Sequence, residues 1–164
     1  MTTDTLRRLL AANERFATSF DRGHLKAPPR ERLVVLTCMD ARIAVEELFG
    51  LAIGDVAVVR NAGAVANDDA IRSLLVTRHV LGTSEVVVMG HTGCGLRGLD
   101  DEALRERLTS EFGQPSATRF GSFDDLDGHV RQQVERIRAH PWLGAAPVRG
   151  LVYEVETGRA RAVE

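Results

Sequence analysis

A chain of 164 residues supplies one domain's worth of core, with on the order of two thirds of its unfolded surface to bury, and so is too large to be a disulfide-stapled scaffold. With 44% hydrophobic and 27% charged residues, and 21 basic against 23 acidic side chains, it has neither the basic excess that draws nucleic acid nor the acidic excess of a disordered tail. No apolar run approaches the roughly 20 residues of a membrane span, and the N-terminus lacks a signal-peptide pattern, so the expectation is a cytoplasmic protein with no nucleic-acid or membrane partner.

Thr5 to Phe20 sets Leu6, Leu9, Leu10, Phe16 and Ala17 near helical spacing among charges, which predicts an amphipathic helix in an N-terminal arm of about residues 1–25. Pro28 and Pro29 break that period before Leu33-Val34-Val35-Leu36, a short run that reads as a first buried strand. A helical stretch covers Ala44 to Phe49, and Asp55 to Arg60 reads as a second buried strand followed by a turn from Asn61 to Asp68. Asp69 to Leu81 fits a helix with Asn67 or Asp68 as its N-cap and Gly82 as its stop. Glu85 to Met89 is a third buried strand. Asp101 to Phe112 and Asp124 to Ala139 read as helices joined by a polar loop, the second with Val130, Val134 and Ile137 on one face and Pro141 beyond its end. Val148 to Glu156 alternates enough to be a final strand at a sheet edge. Near-continuous apolar strands separated by helices define an α/β class. The expectation is one domain over residues 1–164: a mostly parallel β-sheet flanked by helices, with an N-terminal helix and a C-terminal edge strand.

The two cysteines, Cys38 and Cys94, read in a reducing compartment as buried thiols, a redox couple or metal ligands. Cys38 closes the first strand, and His91-Thr92-Gly93-Cys94 begins just after the third. In open α/β sheets ligands bind in the crevice at the carboxyl ends of the strands, where the strand order reverses. If the first strand lies between the second and third, these segments meet there. Two thiolates and an imidazole then make a zinc site with three protein ligands and an open fourth position, the arrangement of a catalytic rather than a structural zinc. An extended chain through Cys38-Met39-Asp40-Ala41-Arg42 points Cys38, Asp40 and Arg42 to one side. Asp40 either ligates the metal or is drawn off by Arg42 in a charge-assisted pair.

Cys38-x-Asp40-x-Arg42, Arg60-Asn61-Ala62-Gly63 and Gly90-His91-x-x-Cys94-Gly95 together resemble the motifs of β-class carbonic anhydrases. The resemblance implies one Zn2+ per chain on Cys38, His91 and Cys94, an Asp40/Arg42 catalytic dyad, and reversible hydration of CO2 to bicarbonate by a zinc-bound hydroxide. It also implies a homodimer or homotetramer in which the N-terminal helix packs on a neighbour. Ala41 stands where the commoner family pattern has Ser, and Leu96 follows Gly95 where that pattern has a second glycine. The compact wording is similar to a branch that includes carbonyl sulfide and carbon disulfide hydrolases, which is the alternative substrate class. A third reading is a non-catalytic zinc-binding or thiol-sensing module.

Two thiolates cancel the charge of the zinc, so its water is acidified less than at a tris-histidine site, and activity is expected to rise toward mildly alkaline pH. The near-zero net charge suits a small neutral substrate. The Arg60 to Ala66 turn has no phosphate-binding glycine pattern, and Gly63 reads as close backbone packing beside the site. His24, His79, His129 and His140 read as surface or packing residues, with His79 the one that could relay a proton. Asp68 and Asp69 read as helix N-terminal carboxylates, and Arg131 to Arg138 as a solvated helix face.

Overall fold

The computed structural model describes residues 2–163, with side chains described from Asp4 onward. Strands β1 (Leu33–Cys38), β2 (Val56–Asn61), β3 (Glu85–His91), β4 (Val148–Glu154) and β5 (Arg159–Val163) form one sheet in the order β2-β1-β3-β4-β5. The first four are parallel and β5 is antiparallel to β4. Five α-helices accompany them: α1 (Thr2–Ala17), α2 (Val45–Phe49), α3 (Asp68–His79), α4 (Asp101–Phe112) and α5 (Leu126–Arg138). Leu33 pairs with Val56 on one side and Glu85 on the other, so β1 is central and the strand order reverses between β1 and β3. That reversal puts the ends of these two strands, Cys38 and His91, at the crevice where ligands bind in such sheets.

The parallel strands are apolar because both faces are covered. One face packs Val34, Leu36, Val86, Val88 and Val152 against Leu74 of α3 and Val130 and Ile137 of α5. The other gathers Val35, Ile43, Val45, Met89 and Tyr153. Helix α5 lies unusually close to the sheet: a Cβ on Gly90 would sit 2.7 Å from a methyl of Val130, and one on Gly150 2.8 Å from its other methyl. Its buried residues, Leu126, His129, Val130, Gln133, Val134 and Ile137, follow the i, i+3, i+4, i+7 period of a helix with one covered face. The N-cap of α3 is Asn67, whose side chain accepts from the Ala70 N–H.

Three sequence expectations shift. The chain does end on an edge strand, but that strand is β5; the segment starting at Val148 lies one place in, between β3 and β5. Arg159–Val163 alternates Arg and Ala and is mostly exposed, so it carries no apolar signal to announce a strand. β2 is half-buried rather than buried, because it forms the other edge and has a partner on one side only. Helix α3 ends at His79, with Val80 as its cap, before the left-handed Gly82.

The N-terminal helix covers nothing within its own chain: its described side chains are all exposed, including Leu6, Leu9, Leu10 and Phe16 at 53–59%. Among the described residues no helix is long and apolar enough to cross a membrane.

Below the sheet, Asp55 is nearly covered and accepts from the Ala52 N–H at 2.7 Å and from Arg30 Nε at 2.6 Å. The backbone N–H and then Arg30 hold its carboxyl below the ordinary value, so its folded pKa lies under its unfolded one. Such a group stabilises the fold above the unfolded carboxylate value of about 3.9, and that contribution disappears as pH falls through the folded value. Asp55→Asn is therefore expected to lower the urea midpoint at pH 7, with the gap to wild type closing in the acid range below pH ~4. A gap that stays constant to acid pH contradicts this account.

Candidate metal centre

β1 ends at Cys38 and β3 at His91, one sheet neighbour apart, and the tight turn after β3 returns Cys94 to the same place. Cys38 is 6%, His91 1% and Cys94 7% exposed, and their donor atoms lie within 4.8 Å of one another. His91 Nδ1 is 2.8 Å from the Thr92 carbonyl, which only accepts, so Nδ1 carries a proton and, in the neutral ring, Nε2 presents its lone pair. That Nε2 is buried and has no hydrogen-bond partner. A buried orphan acceptor is costly unless something satisfies it, and a metal ion between two thiolates and this imidazole would do so. The donor set therefore fits a metal ion, and among the described residues it is the group of side chains that could hold one. Burial pushes the Cys94 thiol up, with the neighbouring Cys38 adding to the shift and the Leu96 N–H opposing it. The thiols would give up protons as the metal enters.

The segment after Cys38 is not extended, as the sequence reading has it. Met39 still donates to the Asn61 carbonyl of β2 at 2.9 Å, and the chain then turns at Ala41 and Arg42, with the Ile43 N–H donating to the Asp40 carbonyl at 3.2 Å. Asp40 and Arg42 still meet, through a different geometry. The Asp40 carboxylate accepts from the Arg42 backbone N–H (2.9 Å), as aspartate does toward the residue two ahead in a turn, and from Arg42 Nε (2.9 Å) and Nη2 (2.8 Å) in a two-pronged pair. The Arg42 side chain, then its backbone N–H, holds the Asp40 carboxyl far below the ordinary carboxylate range. Asp40 Oδ2 is 3.9 Å from His91 Nε2, too far for a hydrogen bond and outside the three-donor cluster. Of the two roles the sequence leaves open for Asp40, the structure displays the pair with Arg42.

Several residues that support the site have no assigned role in the sequence reading. Arg60 clamps the Asp40 loop through three carbonyls, donating to those of Cys38 (3.0 Å), Ile43 (3.1 Å) and Asp40 (2.6 Å). Thr92 donates its hydroxyl to Glu156 (2.6 Å) and accepts the Val155 N–H (3.0 Å), which fixes the peptide that receives His91 Nδ1–H. Gly63 lies against the site, as expected, and donates its N–H to Cys38 Sγ at 3.4 Å. Its φ of +76° is left-handed, which favours glycine, and a Cβ there would press on the Leu96 side chain at 2.8 Å. Of the remaining histidines, His24 and His79 meet backbone carbonyls, His140 lies edge-on to Trp142, and His129 is buried. The placing of Arg60 in the Arg60-Asn61-Ala62-Gly63 motif was the available hint for its role; Thr92 and Glu156 offered none.

A family model described as carbonic anhydrase matches residues 33–114. β-Carbonic anhydrase 1 of Mycobacterium tuberculosis is 36% identical over 155 residues, covering 94% of each chain. Carbon disulfide hydrolase of Acidianus sp. is 33% identical over 159 residues, covering 82% of this chain and 78% of that one. Among solved structures, a carbonic anhydrase from Streptococcus mutans superposes with a TM-score of 0.92 at 34% identity, over 97% of both chains. The chain belongs to the β-carbonic anhydrase family.

Proposed function

We propose that this chain catalyses the reversible hydration of CO2 to bicarbonate, using one zinc ion held by Cys38, His91 and Cys94 with Asp40 and Arg42 beside it. The observation that supports it most is the buried imidazole Nε2 without a partner, set between two thiols and facing a carboxylate that Arg42 keeps ionised. Two thiolates and an imidazole suit zinc by softness and by number. Bound there, zinc would supply the Lewis acidity that makes water nucleophilic, less strongly than at a tris-histidine site and so toward mildly alkaline pH. Asp40, ionised at any working pH, serves as acceptor: Oδ2 takes one bond from Arg42 Nη2 and keeps acceptor capacity on the side facing His91. Arg42 positions that carboxylate, and its further bond to the Gly93 carbonyl (3.2 Å) ties the Asp40 loop to the turn that carries Cys94. Arg60 keeps the same loop from opening. Free thiols in a metal site are suited to a reducing, cytoplasmic compartment.

Metal analysis and stopped-flow hydration of CO2 test the reading. About one zinc per chain with measurable hydration is expected; zinc without hydration at any pH overturns the substrate assignment. The carbon disulfide hydrolases among its relatives give a second reading on the same residues, decided by whether hydrogen sulfide release from carbonyl sulfide or carbon disulfide outruns CO2 hydration.

A homodimer or homotetramer belongs to the same proposal. The apolar side of α1, bare within the chain, is the surface a second copy would cover. Leu6→Lys combined with Leu9→Lys is expected to shift the protein to a smaller species in sedimentation velocity. An unchanged sedimentation coefficient removes α1 from the interface.

A further inference from the structure

One backbone N–H is aimed at a sulfur of the cluster: Gly63 donates to Cys38 Sγ at 3.4 Å. It is not placed by a strand or a long helix. Gly63 and Ala64 are both left-handed, at φ +76° and +57°, and Ala64 is fully buried, a conformation that persists only where the surroundings hold it. The Gly63 carbonyl is held by His129, whose Nε2 donates to it at 2.8 Å from the buried face of α5. The His129 ring stacks on Phe123 at 4.0 Å and 15°, and Phe123 in turn exchanges backbone bonds with the Cys94 turn, donating to the Leu96 carbonyl (3.3 Å) and accepting from Gly98 (2.9 Å). Because the Gly63 carbonyl only accepts, the ring carries a proton on Nε2; burial pushes the imidazole down toward its neutral form, in which one tautomer supplies it.

We propose that His129 is a positioning residue for the metal centre: it sets the Gly63 N–H on Cys38 Sγ and, through Phe123, steadies the turn that carries Cys94. The inference rests on the assignment of both cysteines as metal ligands. A hydrogen bond to a thiolate withdraws charge from the sulfur, so losing it changes what the sulfur gives the metal.

Cobalt(II) in place of zinc reads this directly, through its sulfur-to-metal charge-transfer band and its dissociation constant, with no turnover needed. His129→Phe keeps an aromatic ring against Phe123 and removes the donor; His129→Gln restores a side-chain N–H at the reach of Nε2; Gln133→Met loosens a neighbouring tether, the bond Gln133 Oε1 accepts from the Ala66 N–H at 3.0 Å. His129→Phe is expected to move the band to longer wavelength and weaken cobalt binding about 10-fold, the lower figure for losing an outer partner of a ligand. His129→Gln is expected to recover both, and Gln133→Met to leave the band in place. Should His129→Phe not fold, His129→Leu makes the same comparison. A cobalt-loaded His129→Phe or His129→Leu protein with an unmoved band overturns the inference, as does a band that Gln133→Met moves equally. A wild-type protein that takes up no cobalt overturns the ligand assignment itself, and this inference with it.

Discussion

Asp40→Asn is expected to lower kcat for CO2 hydration by about 10²- to 10⁴-fold, the range for losing a positioned proton acceptor, while zinc content stays near one per chain. The physical reason lies in the pairing. The carboxylate accepts three bonds from Arg42 alone and still faces His91 Nε2 at 3.9 Å. An amide in its place has one acceptor oxygen, so it cannot satisfy the Arg42 fork and also accept on the metal side. Asp40 is not among the three donors, and removing its charge should leave metal affinity largely intact. Measuring kcat, KM and bound zinc on the same preparation separates the outcomes: a full complement of zinc with unchanged kcat removes Asp40 from the reaction, and lost zinc with proportionally lost activity makes it a ligand.

His91→Ala is expected to have the larger effect on the metal. It deletes one of three donors from a site whose imidazole is 1% exposed, and no neighbouring side chain among the described residues offers a replacement within that cluster. Affinity should fall by more than about 100-fold, the upper figure for losing only an outer partner, and activity should fall with it. Equilibrium dialysis against zinc, with circular dichroism to confirm the fold, checks this. Retention of stoichiometric zinc at wild-type affinity contradicts the ligand assignment.

The fold and the meeting of Cys38 with His91 were legible in the sequence for one reason: both depend on strands buried on two faces. Val34 to Leu36 and Val86 to Met89 are apolar because helices cover them, and the residues that close those strands, Cys38 and His91, inherit a predictable place at the crevice. Where burial relaxes, the signal fades. β5 is an edge strand whose Arg-Ala alternation never has to meet a core, and β2 is half-buried for the same cause. Local turns were harder still: the path from Cys38 to Ile43 depends on Asp40 bonding two residues ahead and on Arg60 reaching in from β2, neither of which has a periodic signature. On α5, Val130, Val134 and Ile137 declare the covered face, but the polar residues His129 and Gln133 share it because backbone groups of the Gly63 to Ala66 segment need partners there.

The placing of the donors on separate strands also links metal binding to folding. Cys38 and His91 are brought together only by the pairing of β1 with β3, a contact between segments separated by the whole of β2 and α3. An unfolded chain does not hold all three side chains together, so a metal ion bound by them would favour the folded state over the unfolded one.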